Sequence, residues 1–155
     1  MIKKIVILLM CLCALISCSS DIPNDNSSGK PEINIIPESL RDLMRHYITN
    51  NSVEICWAIY NRNTGVILTD PVEFKVVYSL SGNIITVSKA ETNGILVHDW
   101  GTGGINYNSM WVGDWFVCYI TISGLSSGTQ YYANVIVRDT SGNKSVYNMI
   151  SFTTL

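Results

Sequence analysis

The fold of this chain is decided near its end, by the stretch Leu125-Ser-Ser-Gly128-Thr129-Gln-Tyr131-Tyr-Ala133-Asn-Val135-Ile-Val137-Arg-Asp139. It reads as a tight turn that leads into a long strand. Along that strand one face carries Tyr131, Ala133, Val135 and Val137, and the other carries Tyr132, Asn134, Ile136 and Arg138. A period of two over this length predicts a sheet with one buried face, so we expect Tyr132, Asn134 and Arg138 on an outer face.

Further stretches show the same alternation of apolar and polar residues. They are Ser52–Ile59, Pro71–Ser79, Phe116–Ile122 and Ser145–Thr154. Turns rich in Gly, Asn and Ser separate them, as at Asn61–Gly65 and Ser141–Asn143. Many short strands punctuated in this way predict an antiparallel sandwich or barrel, which we expect to occupy residues 32–155.

Features within these strands resemble the fibronectin type III domain. They are Trp57 on an early strand, Tyr78 on the next, and the motif Leu125-x-x-Gly128-Thr129-x-Tyr131-x-x-x-Val135. The resemblance covers roughly residues 40–155 and implies an all-β, immunoglobulin-like antiparallel sandwich of about seven strands. It also implies that Trp57, Tyr78, Leu125 and Val135 are core residues. Tyr131 would form a tyrosine corner, in which its hydroxyl bonds back to the turn backbone.

Two segments depart from the family pattern. Residues 37–47 have helical spacing with Ser39 as a plausible N-cap, whereas the family places its first strand at about Leu43–Thr49. We favour the strand, because tertiary pairing overrides local propensity. Further along, we expect a short helix within Ile84–Asn93, an edge strand at Ile95–Trp100 and a long loop over Gly101–Trp115.

The N-terminus has the pattern of a targeting segment. A basic start at Lys3 and Lys4 is followed by the apolar run Ile5–Ile16, which is too short to span a bilayer comfortably. The run ends in Leu15-Ile16-Ser17-Cys18, which resembles the lipobox of bacterial lipoproteins. The resemblance implies a signal peptide over residues 1–17 and an acylated Cys18 as the mature first residue. The alternatives are an ordinary signal peptide and an N-terminal anchor helix.

Residues 18–31 are expected to form a flexible tether, because Ser, Asp, Asn, Pro and Gly dominate them and cannot build a core. Several acyl chains on Cys18 would hold the protein stably in a membrane. Ser19 follows the cysteine where an Asp would favour the inner membrane of Gram-negative bacteria. The resemblance therefore implies an exported protein on the bacterial outer membrane, in the periplasmic or the surface-facing leaflet.

Two cysteines remain in the predicted domain, Cys56 and Cys118. An exported compartment permits a disulfide between them. Cys56 neighbours the core-facing Trp57 and is predicted to point outward, whereas Cys118 shares the parity of Ile120 and is predicted to point inward. Because the family places these strands side by side in one sheet, the thiols would lie on opposite faces. We expect no bridge unless a bulge changes the register.

Composition and motifs give little support to catalysis. A net charge of −2 and a pI near 5.6 argue against a nucleic-acid partner. The chain has two histidines, and neither His46 nor His98 has a metal-ligand partner at a recognised spacing. Both are expected to be surface imidazoles. We predict no enzyme activity, no catalytic residue, no metal and no cofactor.

Aromatic residues among glycines form the one suggestive cluster: Trp100, Tyr107, Trp111 and Trp115, interleaved with Gly101, Gly103, Gly104 and Gly113. Flat indoles stack on sugar faces or fill a partner's cavity. They would equally serve as a lid over one end of the sandwich. The sequence thus predicts a binding or adhesion module of the cell envelope, with a glycan or an envelope protein as ligand. The alternative is a structural spacer or assembly subunit with no ligand site of its own.

Overall fold

A computed structural model describes residues 34–68, 72–102 and 107–155, all within one compact unit, Pro31–Leu155. The predicted signal peptide, Cys18 and the tether lie outside the described residues, as do Gly103 and Gly104 of the predicted loop. The described strands are β1 (Leu43–His46), β2 (Ser52–Asn61), β3 (Glu73–Ser79), β4 (Ile95–Thr102), β5 (Asn108–Val112), β6 (Trp115–Ser123), β7 (Gln130–Arg138), β8 (Lys144–Val146) and β9 (Ile150–Thr153).

The strands form two antiparallel sheets. The first has the order β1-β2-β6-β5, and the second has the order β4-β3-β7-β8, with β9 also paired to β7. The prediction of an all-β antiparallel sandwich is confirmed. Nine strands are described rather than about seven, because β5 was expected to be loop and the last predicted strand is divided into β8 and β9.

The main core lies between the sheets and contains the residues predicted for it. Trp57, Leu125, Tyr131 and Val135 are buried, and Tyr78 is partly buried with its ring 5.9 Å from that of Tyr131. Trp57 is completely buried, so removing its side chain should cost about 3–5 kcal/mol. The family resemblance implied these positions, and for those in strands alternation agrees, because side chains two residues apart point to the same side of the sheet.

The tyrosine corner is present at the start of β7. The hydroxyl oxygen of Tyr131 accepts a hydrogen bond of 2.9 Å from the backbone N–H of Ser126. Gly128 has a φ of 63°, a left-handed conformation that favours glycine and lets the turn close. The corner therefore fixes the turn against the strand that follows it.

A second core covers the opposite face of the β3–β7 sheet. The outward positions Asn134 and Ile136 are both fully buried, so the sheet is not exposed on this side as the alternation of β7 suggested. The segment between β3 and β4 folds over it, and the side-chain amide of Asn134 donates to the carbonyl oxygen of Ile84 at 2.7 Å. This bond satisfies a polar group that burial would otherwise make costly.

The covering segment contains helix α1 (Val87–Asn93), which confirms the short helix predicted there. Thr86 is its N-cap, and its hydroxyl accepts from the N–H of Lys89 at 3.2 Å. At Gly94 a Cβ atom would lie 2.6 Å from the Cβ of Val77. A side chain at this position would therefore push the end of the helix away from β3.

Near the start of the described chain, the strand alternative is confirmed over the helix. A 3-10 turn at Glu38–Leu40 leads into β1, and Ser39 lies inside that turn rather than capping an α-helix. Residues of β1 pair with β2 in a continuous register, with Met44 opposite Cys56. Pairing with β2 and the burial of Leu43 stabilise the strand, whereas an isolated helix of this length is marginal in water.

The two domain cysteines are both free and both buried. Cys118 lies opposite Trp57 and faces inward as predicted. Cys56, which was predicted to point outward, is only 1% exposed and lies between Met44 and Tyr119 on neighbouring strands. Burial, and for Cys56 also the nearby Glu54 carboxylate, raises the pKa of each thiol to about 12.

Candidate functional site

The four aromatic residues predicted as a binding loop are not brought together. Trp100 lies on β4, Trp111 on β5, Trp115 at the start of β6, and Tyr107 just before β5. The prediction of a long loop over Gly101–Trp115 is wrong, because much of it forms a regular hairpin of β5 and β6. Alternation did not reveal β5, whose five residues include only three apolar ones.

Tyr107 is a core residue rather than a ligand-binding one. Its hydroxyl donates to the carbonyl oxygen of Phe74 at 2.8 Å, and its ring lies 4.9 Å from that of Trp57. Burial raises the pKa of the phenol above its ordinary value. The ring of His98 lies 4.8 Å from that of Tyr107, with Nδ1 at 3.1 Å from the hydroxyl, so this imidazole is part of the sheet edge and not simply a surface group.

Trp100 packs onto the second core from β4. Cations surround its ring: the guanidinium of Arg138 lies 4.2 Å from the centroid, and the amines of Lys75 and Lys144 lie 5.3 Å from it. Each cation is also paired with a carboxylate, namely Glu73 for Arg138, Asp99 for Lys75 and Glu91 for Lys144. Three cations and the second core together leave Trp100 only partly exposed, which favours a stabilising role over ligand binding.

Trp115 is partly buried and packs against the main core, where it lies opposite Asn61 of β2 and Val112 of β5. Its place at the start of β6 lets it close the end of the sandwich. This position matches the lid that the sequence allowed as an alternative.

Trp111 remains as the candidate binding residue, with 47% of its surface exposed. Its ring lies 5.9 Å from that of Tyr60 and 5.3 Å from that of Phe116, and the guanidinium of Arg62 lies 4.2 Å from its centroid. We call these residues, Tyr60, Arg62, Trp111 and Phe116, the Trp111 patch. Their contacts hold the indole in one orientation, which lowers the entropy that ligand binding would have to overcome.

Polar groups from two adjoining turns border the Trp111 patch. The side-chain amide of Asn63 donates to Asp114 Oδ2 at 2.7 Å, and the backbone N–H of Arg62 donates to the carbonyl oxygen of Asp114 at 2.8 Å. The buried side chain of Asn61 accepts from the N–H groups of Asn63 and Thr64 at 2.9 and 3.2 Å. The two turns are thereby fixed to each other beside the exposed indole.

Sequence reasoning missed Tyr60, Arg62, Asn63 and Asp114. Tyr60 reaches the patch because the register between β2 and β6 shifts between Ala58 and Tyr60, which places Tyr60 opposite Phe116. A bulge of this kind has no reliable sequence signal in a strand of β-branched and aromatic residues. The turn at Asn61–Gly65 was predicted, but not its contact with the turn at Asp114.

The described residues offer neither a metal centre nor a membrane-spanning helix. Across residues 34–68, 72–102 and 107–155, no group of three or more His, Cys, Asp and Glu side chains is placed to hold a metal ion. Within the same ranges, no helix is long and apolar enough to cross a membrane.

Comparisons with known proteins concern the fold alone. No family model matches the sequence, and no curated protein matches it significantly. Among solved structures, the chain is similar to a computationally redesigned β-sandwich protein, with 14% identity, a TM-score of 0.47, and 73% of this chain and 89% of that chain covered.

Two further solved structures share similarity at a comparable level. The third fibronectin type III domain of the human KIAA0343 protein has 13% identity and a TM-score of 0.40, over 74% of this chain and 79% of that chain. The sensor domain of the anti-sigma factor RsgI4 of Pseudobacteroides cellulosolvens has 13% identity and a TM-score of 0.41, over 74% of this chain and 93% of that chain.

Proposed function

We propose that this chain is a lipid-anchored binding module of the bacterial cell envelope and that its ligand contacts the Trp111 patch. The observation that supports this most is the half-exposed indole of Trp111, held by Tyr60, Phe116 and Arg62 at one end of the sandwich. Trp is highly buried on average and is among the residue types most enriched in the residues that dominate binding interfaces. The other predicted binding residues are already used within the fold.

The chemistry of the patch favours a glycan. A flat indole packs against the apolar face of a sugar ring. The amide of Asn63 and the carboxylate of Asp114, which are hydrogen-bonded to each other, are polar groups beside it. Arg62 adds further N–H donors at the same place. A partner protein that buries the indole in a cavity is the other outcome that the experiment below distinguishes.

The test is a glycan array probed with the intact protein and with Trp111→Ala. We expect binding that falls at least tenfold in the variant, because the indole supplies most of the apolar contact. Tyr47→Ala is the matched control, since Tyr47 is 77% exposed and follows β1, at the opposite edge of the same sheet from β5. No binding by the intact protein, or equal binding by the Trp111 variant, would exclude the glycan. Trp115→Ala is not a suitable probe, because it would disturb the core.

Anchoring is tested separately at Cys18. Under the proposal, Cys18→Ala releases the protein from the membrane fraction, because acylation of the thiol is what holds it there. The variant keeps the whole folded domain, so ligand binding should be unchanged. Persistence of the variant in washed membranes would contradict the lipobox interpretation. That result would not bear on ligand binding at the Trp111 patch.

The alternative of a spacer or assembly subunit makes a different prediction. Cross-linking in intact membranes would then find one constant protein neighbour, and Trp111→Ala would leave that neighbour in place. If the chain is a binding module, the cross-linked neighbour should instead be lost in Trp111→Ala.

A further inference from the structure

Most cationic side chains that the structure describes already have an acceptor within the protein. Four of them form an ion pair with a carboxylate, and a fifth donates to a backbone carbonyl oxygen. The four are Arg41, Lys75, Arg138 and Lys144, and the fifth is Arg45. A cation that is already paired in this way has less to offer a ligand, because binding would first have to break the internal contact.

Arg62 of the Trp111 patch is held by an aromatic ring instead. It is exposed, and its guanidinium carbon lies 4.2 Å from the centroid of Trp111. Among the residues that the structure describes, no carboxylate and no carbonyl oxygen accepts from its side chain. A guanidinium contacts a ring through its face, whereas its N–H donors lie along its edges. The indole therefore fixes the position of a cation whose donors remain available to a ligand.

The protein itself binds a carboxylate with an arginine that covers an indole. The guanidinium carbon of Arg138 lies 4.2 Å from the centroid of Trp100. Arg62 lies at the same distance from Trp111. The Arg138 guanidinium donates to Glu73 Oε2 from both Nε and a terminal nitrogen, with the Nε contact at 3.1 Å. At Trp111 the ring and the cation are arranged in the same way, and a carboxylate from a ligand would complete the set.

We propose that the ligand of the Trp111 patch is an acidic glycan, in which a carboxylate on the sugar ring binds Arg62 while the ring contacts the indole. The inference rests on the proposed function, which supplies the site, and it adds the chemical class of the ligand. The carboxylate of a hexuronate is attached directly to the ring. A sugar that touches Trp111 therefore brings its carboxylate within reach of the guanidinium beside the same indole.

Asp114 limits how much negative charge the ligand can carry here. It is the acidic side chain of the two turns beside the patch, and its Oδ2 accepts from the side-chain amide of Asn63 at 2.7 Å. This carboxylate can also accept from a ligand hydroxyl, but it repels a second anion placed near it. One cation and one anion thus favour a sugar with a single carboxylate and several hydroxyl groups over a phosphate or a heavily sulfated sugar.

The test compares uronate polysaccharides with the same polysaccharides after chemical reduction of their carboxylates to primary alcohols. Reduction keeps the ring stereochemistry and removes the charge. Polygalacturonate, alginate and hyaluronan are the probes, and calorimetry with the full chain gives the affinities. We expect the native form of a bound probe to bind about tenfold more tightly than its reduced form, as for one charge-assisted pair. This preference should shrink as salt is added, because an exposed charge pair is screened.

Arg62→Gln tests whether the preference comes from this cation. The variant should bring the affinities for the native and reduced probes together. Lys89→Gln is the matched control, since it removes an equal charge from α1, which covers the other sheet, and it should keep the preference. The ratio of the two affinities would not change if Arg62 served only the fold, because partial unfolding lowers both affinities alike. Thermal melting of each variant confirms folding.

The outcomes separate this inference from the proposed function. Binding confined to neutral glycans, equal binding of native and reduced probes, or a preference that Arg62→Gln leaves unchanged would overturn the acidic ligand. Each of those results would leave glycan binding at the Trp111 patch in place. Absence of binding to every glycan, acidic or neutral, would exclude the proposed function and this inference with it.

Discussion

Replacing Tyr131 with Phe isolates the tyrosine corner from the rest of the core. The substitution removes the hydroxyl that accepts from the Ser126 N–H at 2.9 Å, and it keeps the ring. That ring still packs against Phe152 at 5.8 Å and Tyr78 at 5.9 Å. The loss is therefore one hydrogen bond and not a cavity.

The expected loss in the free energy of unfolding is about 1 kcal/mol. A typical hydrogen bond contributes about 0.5–1.5 kcal/mol net, and an amide left without a partner adds to the cost when it is shielded from water. This hydrogen bond is partly buried, so the middle of this range applies. For a domain of this size the melting temperature should fall by about 4 °C. Urea denaturation followed by tryptophan fluorescence measures the difference directly.

Tyr132→Phe is the matched control on the same strand. Tyr132 is only partly buried, and its hydroxyl forms no hydrogen bond with the described residues, so its loss should change stability by less than about 0.5 kcal/mol. If Tyr131→Phe were as stable as the wild-type protein, or no less stable than the control, the corner would not be stabilising the fold as argued.

Two further outcomes follow from other parts of the sandwich. Trp100→Ala should lower the free energy of unfolding by about 2 kcal/mol, because it uncovers the second core and removes the contact with Arg138. Trp111→Ala should lower it by about half as much. If denaturant unfolding gave the same loss for both variants, these roles would be contradicted. The side-chain amide of Asn143 and nearby backbone N–H groups lower the pKa of Asp139. The contribution of this carboxylate to the free energy of unfolding is therefore present above the unfolded pKa of about 3.9, and it is lost as pH falls through the lower pKa of the folded state. Asp139→Asn should accordingly melt with a shallower pH dependence between about pH 4 and pH 2, and an unchanged slope would refute the assignment.

The strands that sequence reasoning located correctly are those with strong alternation. Leu125–Asp139 predicted both the strand β7 and the corner, because burial on one face and the turn chemistry are local properties of the residues. The edge strand β4 and helix α1 were also predicted, within the segments where the chain departs from the family pattern. The strand and corner of β7 are local signals, because a period of two and a turn motif are carried by neighbours in the chain.

The candidate site was predicted only in part. Of the four predicted aromatic residues, Trp111 is exposed, but it is not grouped with Trp100 and Tyr107, because those two residues pack into different cores. The residues next to Trp100 and Trp111 in the sequence do not show that the first indole packs against cations on a sheet and that the second is exposed to solvent. That distinction depends on which strands become neighbours.

The sequence alone determined the sandwich class, the buried face of β7 and the core positions Trp57, Leu125 and Val135, because patterning and turn motifs of a few residues are enough to specify them. Only the tertiary structure decided that the outer face of the same strand is covered, that Cys56 is buried, and that Tyr60, Arg62 and Asp114 meet around Trp111. These features depend on contacts between residues distant in the chain and on a one-residue bulge in β2. Such a bulge changes which side chains share a face without changing the local pattern that a sequence displays.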